Sequence, residues 1–287
     1  MDNKKLAITI LTIAIIGASA LILGCTGTTP TPTPAAGSAT PAPLSGSLQV
    51  IGSTSVGPYA EELAVAFDEK NGGKTSVDVS QVGSTAGINA VLDGTAAVGM
   101  SSRELTAAET AKGLKTYEIA IDGIAVIINK DNPVSNLSTT QVREIYAGNI
   151  TNWKQVGGND AQIFVVTREP GSGTRGAFEE LVMQKKANIT TGAITQGSTG
   201  SVTAYLETNK NAIGYVSYGS LKDTVKAVQV DGVAPTTQSI KDRSYKIQRP
   251  FLFVTKGEPG GLAKAFIDYT LGSDGQAILA KHNLITK

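Results

Sequence analysis

The run LQVIGSTSVGPYAEELAVAFDEK, from Leu48 to Lys70, carries the key to the fold. Leu48–Ile51 reads as a short apolar strand and Gly52-Ser53-Thr54-Ser55 as a turn. Tyr59–Lys70 reads as a helix with Leu63, Ala66 and Phe67 on one face. A strand that runs through a Gly/hydroxyl turn into a helix is one βα unit, and the unit recurs. Ser76–Val82 alternates Val77 and Val79 with polar residues, then passes through Gly83-Ser84-Thr85-Ala86-Gly87 into a helix over Ala86–Asp93. Ala97–Met100 reads as a buried strand, and Thr106–Lys112 as a helix whose Thr106 and Glu109 have capping-box spacing. Ile119–Asn129 is a long apolar run around Gly123. Further helices are expected at Thr139–Ala147, Gly173–Lys186, Ser201–Thr208, Gly261–Leu271 and Gly275–His282, and strands at Gln162–Thr167, Ala212–Val216 and Arg249–Thr255. This alternation predicts an α/β protein with doubly wound, mostly parallel sheets.

Upstream of this pattern the chain changes character. Lys4 and Lys5 precede the nearly apolar stretch Leu6–Leu23, which marks residues 1–24 as a secretory signal. The signal ends in Leu21-Ile22-Leu23-Gly24-Cys25, which resembles a lipobox; Cys25, the single cysteine, is the expected site of lipidation. Residues 25–43 are rich in Thr and Pro and carry no charge, as in a semi-rigid tether. Together these segments predict an extracytoplasmic protein anchored to a membrane through an N-terminal lipid.

Composition narrows the chemistry. The 287 residues are 41% apolar and 17% charged with a net charge of +1, which leaves no basic reservoir for nucleic acid. One cysteine excludes a disulfide framework or a cysteine-rich zinc site, and His282 is the only histidine. No metal and no cofactor are expected. Removing residues 1–24 takes away Asp2, Lys4 and Lys5 and leaves the two signs balanced.

Four turns share a composition: Gly52-Ser53-Thr54-Ser55, Gly83-Ser84-Thr85-Ala86-Gly87, Gly171-Ser172-Gly173-Thr174 and Gly197-Ser198-Thr199-Gly200. A helix start exposes unpaired N–H groups and the positive end of a dipole, so it receives an anion readily. In open α/β sheets ligands lie beyond the carboxyl ends of the strands, where these turns are expected. One serine or threonine suffices to cap a helix, so the triplets of glycine and hydroxyl residues in the first three turns point beyond capping. The fourth turn is read as a cap. Arg168 ends the strand before Gly171, and Arg103 follows Ser101-Ser102 past the strand Ala97–Met100; their guanidinium groups match a tetrahedral oxyanion.

These residues resemble a known family. The segments Gly52-Ser53-Thr54-Ser55-Val56-x-Pro58, Gly83-Ser84-Thr85-Ala86-Gly87-Ile88, Met100-Ser101-Ser102-Arg103 and Arg168-x-x-Gly171-Ser172-Gly173-Thr174-Arg175 are similar to those of the phosphate-binding proteins of phosphate ABC importers. The resemblance runs from about Leu48 to Leu284 and includes Ala212-Ile213-Gly214-Tyr215-Val216. It implies a type II periplasmic-binding architecture: two doubly wound lobes joined by two hinge crossings, closing on a buried phosphate. The expected partner is the membrane permease of the importer, and the expected state is a monomer without enzymatic activity. The implied phosphate ligands are Ser53, Thr54 and Ser55, then Ser84 and Thr85, then Ser102 and Arg103, then Arg168, Ser172, Gly173 and Thr174. The crossings are expected near Asp122–Gly123 and Ser239–Gln248, so that residues 44–122 and 245–287 form one lobe and 123–244 the other.

The chain departs from the family at Arg103, where many members carry an acidic residue that shares a proton with phosphate; shorter members carry Ser-Ser-Arg. Glu169 is the candidate replacement acceptor, with an ion pair to an arginine as its competing role. Another tetrahedral oxyanion (molybdate, tungstate or sulfate) is the alternative ligand on the same fold. A secreted hydrolase is disfavoured, since Gly171-Ser172-Gly173 lacks the Gly-x-Ser-x-Gly elbow. A surface adhesin would suit the tether but would not require paired arginines. Trp153 reads as a buried loop anchor.

Overall fold

The computed structural model describes residues 44–286. The signal, Cys25 and the tether lie outside the described residues. Within these residues no helix is long and apolar enough to cross a membrane.

The first βα units form as their patterns dictate. Strand β1 (Gly46–Gly52) leads to helix α1 (Gly57–Lys70), β2 (Thr75–Gln81) to α2 (Ser84–Asp93), and β3 (Val98–Ser101) to α3 (Ala107–Thr110). Pro58 stands in the first turn of α1, where its missing N–H costs nothing. The α3 capping box between Thr106 and Glu109 is present, but the helix is a single turn, shorter than the expected Thr106–Lys112. Gly113 follows it in a left-handed conformation, which a continuing helix could not accommodate. The apolar run around Gly123 is part of one strand, β4 (Leu114–Asn129).

The chain continues through β5 (Asn136–Leu137), α4 (Thr139–Ala147), β6 (Phe164–Arg168), α5 (Gly173–Phe178), β7 (Ile194–Gln196), α6 (Thr199–Thr208) and β8 (Ala212–Ser217). It then forms β9 (Val225–Ala227), β10 (Gln229–Val230), α7 (Thr237–Lys241), β11 (Gln248–Lys256), α8 (Gly261–Leu271) and α9 (Ser273–Ala280). The single long helix expected over Gly173–Lys186 is interrupted. After Phe178 the chain widens into a π turn, Glu179–Met183, and Gln184 and Lys185 take left-handed dihedrals. Buried Arg143 of α4 stabilises this ending, donating to the Val182 carbonyl at 2.8 Å and to Gln184 Oε1 at 3.1 Å. Trp153 is buried and donates its Nε1–H to the Asn211 carbonyl.

The main sheet runs β2-β1-β3-β11-β4-β8-β6-β7, with β9 also paired to β4. Its two ends are parallel, as the βα pattern predicts: β2-β1-β3 and β8-β6-β7. Its centre is not. Strand β11 lies antiparallel to both β3 and β4, and β4 antiparallel to β8. The expectation of a mostly parallel sheet fails here because β11 returns from far along the chain and inserts between strands laid down much earlier, a pairing that local patterning cannot reveal. Strand β4 pairs with β11 as far as Gly123, then changes partner to β8 from Ile124 onward. At Gly123 a side chain would meet Ile240 Cδ1 at 2.6 Å, so glycine is needed where the strand changes partner.

The buried apolar residues fall into separate groups on either side of this point. One large group draws on Ile124 to Ile247, with a smaller one between Ala125 and Val225. The other large group draws on Leu48 to Ala120 together with Phe251 to Leu284, accompanied by a smaller one that includes Ile88 and Val254. Each half thus buries its own apolar surface, the dominant favourable contribution to its stability. Polar residues fill the space where the halves meet.

Candidate functional site

The first turn places Ser53, Thr54 and Ser55 between β1 and α1, all buried. Ser53 Oγ accepts the N–H groups of Ser55 and Val56, so it takes the capping role that Val56 cannot fill. Thr54 and Ser55 are left to face the other half. Ser84 opens α2 and is fully buried; its Oγ accepts the Ser102 N–H at 3.1 Å, and Ser53 donates to Ser102 Oγ at 2.9 Å. The first three strand ends therefore converge on one hydroxyl cluster.

The second half meets it. Arg168, only 2% exposed at the end of β6, donates from Nη2 to Thr54 Oγ1 at 3.1 Å and from Nη1 to Thr199 Oγ1 at 3.3 Å. Ser55 Oγ lies 2.8 Å from both Thr174 Oγ1 and Thr199 Oγ1. Ser172 caps α5 by accepting the Arg175 N–H. The halves also touch through backbone, the Thr85 N–H donating to the Gly171 carbonyl at 3.1 Å. Gly173 makes the approach possible: a Cβ there would sit 2.2 Å from Ser84 Oγ and 2.6 Å from Ser102 Oγ.

At three positions the structure departs from the sequence expectations or selects between them. The turn at Gly197–Gly200 is more than a cap: Ser198 does cap α6, but Thr199 enters the cluster. Arg103 does not join it. Its two Nη atoms fork onto the Glu109 carboxylate, both at 2.8 Å, and only a 3.4 Å hydrogen bond reaches Thr85, itself half-buried at the rim. The guanidinium holds Glu109 down to about 2 from an ordinary 4.5. Glu169, the candidate acceptor, points both oxygens at Arg168, at 2.8 Å to Nε and 2.7 Å to Nη2. The competing role, an ion pair with arginine, is what the geometry displays.

Two residues escaped the sequence analysis. Arg249 is the second residue of β11 and Asp122 sits in β4 opposite it; both are buried and share an ion pair at 3.1 Å. Asp122 Oδ1 also accepts from Ser217 Oγ at 2.9 Å and from the Gly219 N–H at 3.2 Å. Burial pushes the Asp122 carboxyl above the usual carboxylate range, while Arg249 and these donors pull it back. The free edge of Arg249 donates from Nη1 to the Ser102 carbonyl and to Thr174 Oγ1, each at 2.8 Å. Their only sequence signal is a charge at a long apolar run: Asp122 falls within Ile119–Asn129, and Arg249 stands just before Pro250–Val254.

Each arginine near the cluster is thus matched by a carboxylate: Arg168 by Glu169, Arg249 by Asp122 and Arg103 by Glu109. The cluster offers oriented donors with little net charge, and no group of acidic, histidine or cysteine residues suited to a metal occurs among the described residues. Donors converging from two halves on a small buried volume are the mark of a binding protein for a small polar anion.

Comparison with known proteins places this class more narrowly. A family model described as the PBP superfamily domain matches residues 37–274. The phosphate-binding protein PstS of Bacillus subtilis is 33% identical over 235 residues, covering 81% of this chain and 77% of that protein. A Clostridium perfringens substrate-binding protein, solved with bound phosphate, shares 45% identity at a TM-score of 0.80 and covers 84% of this chain and all of its own. An ABC-type phosphate transport receptor from Vibrio cholerae shares 37% identity at a TM-score of 0.72, with the same coverage. The chain belongs to the PBP superfamily, within the PstS family of phosphate-binding proteins.

Proposed function

We propose that this chain captures inorganic phosphate at the buried hydroxyl and arginine cluster and delivers it to the membrane permease of an ABC importer. One observation carries the reading: Thr54 and Ser55 from one half meet Arg168, Thr174 and Thr199 from the other, each at most 7% exposed. The relatives described above support phosphate as the ligand. Ser53, Ser84, Thr85, Ser102, Ser172 and Gly173 complete the proposed site. Arg103 acts from its rim.

In this reading residues 44–122 with 245–287 form one lobe and 123–244 the other, joined where β4 and β11 cross. The segregation of the apolar groups supports that division. A ligand held by both lobes stabilises only the closed arrangement, which couples capture to a shape the permease can recognise. The protein works outside the cytoplasm as a monomer, held near the permease by a lipid on Cys25 and the Thr/Pro tether. It binds phosphate without turning it over.

A proton-free oxyanion is the competing ligand, favoured by one observation: both Glu169 oxygens are engaged by Arg168. Calorimetric titration with phosphate, sulfate, molybdate and tungstate decides. The reading expects phosphate to bind at micromolar affinity or tighter and sulfate weakly; tighter binding of any of the other three overturns it.

A further inference from the structure

The Asp122–Arg249 pair lies at the crossing of β4 and β11, outside the four hydroxyl turns, yet it reaches the cluster. Arg249 uses Nε and Nη2 on Asp122 Oδ2, at 3.3 and 3.1 Å, so its orientation is set by a fork against a buried carboxylate. Asp122 is itself held by Ser217 and Gly219. The remaining nitrogen spans the halves, from the Ser102 carbonyl of one to the Thr174 hydroxyl of the other.

The direction of that last bond matters. A guanidinium can only donate. Thr174 Oγ1 therefore accepts from Arg249, and its single proton is free to point elsewhere, toward Ser55 or an anion between them. Without the guanidinium, Thr174 Oγ1 is no longer obliged to accept there; its proton could turn to another acceptor, and an anion would meet its lone pairs.

We propose that Arg249, clamped by Asp122, is a positioning residue that holds Thr174 as an obligate hydrogen-bond donor to the bound phosphate. The inference rests on the phosphate reading above. It makes a residue at the crossing part of the recognition machinery, although it need not touch the ligand.

Removing one partner of a buried pair leaves an uncompensated charge, so the test removes both, as Asp122→Asn with Arg249→Met. Phosphate affinity is measured by calorimetry for the full chain, for this pair variant, for Thr174→Val and for the combination. The pair variant is expected to weaken binding by about tenfold when Thr174 is present, and by less than about twofold when it is valine, because the two act through one hydrogen bond. An equal loss in both backgrounds, or no loss in either, overturns the proposal. If the pair variant fails to fold, Arg249→Lys takes its place in the same cycle. It keeps a cation beside Asp122 but lacks the third nitrogen that reaches Thr174, so the same coupling is expected. A parent protein that binds no phosphate would instead overturn the reading on which the proposal stands.

Discussion

Ser55 and Thr174 stand 119 positions apart in the chain, yet their hydroxyl oxygens are 2.8 Å apart in a region sealed from solvent. One follows the first strand; the other opens a helix after β6. Their meeting requires both halves to be in place, and a phosphate between them would hold those halves together.

Arg168 supplies a buried positive charge beside this meeting point, through Thr199, which Ser55 also touches. Arg168→Ala removes donors to Thr54 and Thr199 and leaves the Glu169 carboxylate without its partner, facing an anion. The expected loss is about 3 kcal/mol of phosphate binding free energy, on the scale of a charge-assisted hydrogen bond. Calorimetry checks it, and a change within a factor of about two would show that the anion does not use this arginine.

Gly173→Ala tests the close approach of the halves. The added Cβ would overlap Ser84 and Ser102, which belong to the other half. Phosphate affinity is expected to fall by more than about tenfold, and the rise in melting temperature produced by phosphate should shrink with it. Scanning calorimetry with and without phosphate reads both.

Glu169→Gln addresses selectivity. It withdraws a carboxylate that neutralises Arg168 and that would oppose a proton-free anion more than a protonated one. The ratio of phosphate to sulfate affinity should fall, chiefly because sulfate binds more tightly. An unchanged ratio in parallel titrations would remove Glu169 from the account of selectivity.

Glu109 gives a pH signature away from the cluster. Its folded value of about 2 lies below the ordinary 4.5, so its ion pair with Arg103 stabilises the fold above pH 4.5. That contribution is lost as pH falls through the interval toward about 2. Glu109→Gln should lower the melting temperature at neutral pH, and the gap from the parent should close as the solution is acidified. A gap that is constant with pH would contradict the ion-pair assignment.

Much of this site could be read from local composition. Arg168, Ser172 and the clustered hydroxyls occupy short Gly-rich stretches between a strand pattern and a helix pattern, and such stretches announce exposed helix N–H groups. Thr199 was obscured because the strand before it, β7, is only three residues long and leaves no periodic trace. Arg249 and Asp122 were obscured for a different reason. Asp122 interrupts the apolar run Ile119–Asn129 and Arg249 stands just before Pro250–Val254, and the partner that makes each of them tolerable is 127 residues away, across an antiparallel pairing of β11 that no local pattern encodes. Arg103 shows the converse: its position suits an anion, while in the fold Glu109, six residues on, engages both ends of its fork and leaves it at the rim of the cluster.

The most direct measurement is a crystal structure of the protein grown with phosphate. One phosphate is expected between the halves, with oxygens within hydrogen-bonding distance of Arg168, Ser55 and Thr174. Phosphate found elsewhere, with these three groups still bonded to one another or to Thr199 as they are here, would contradict it.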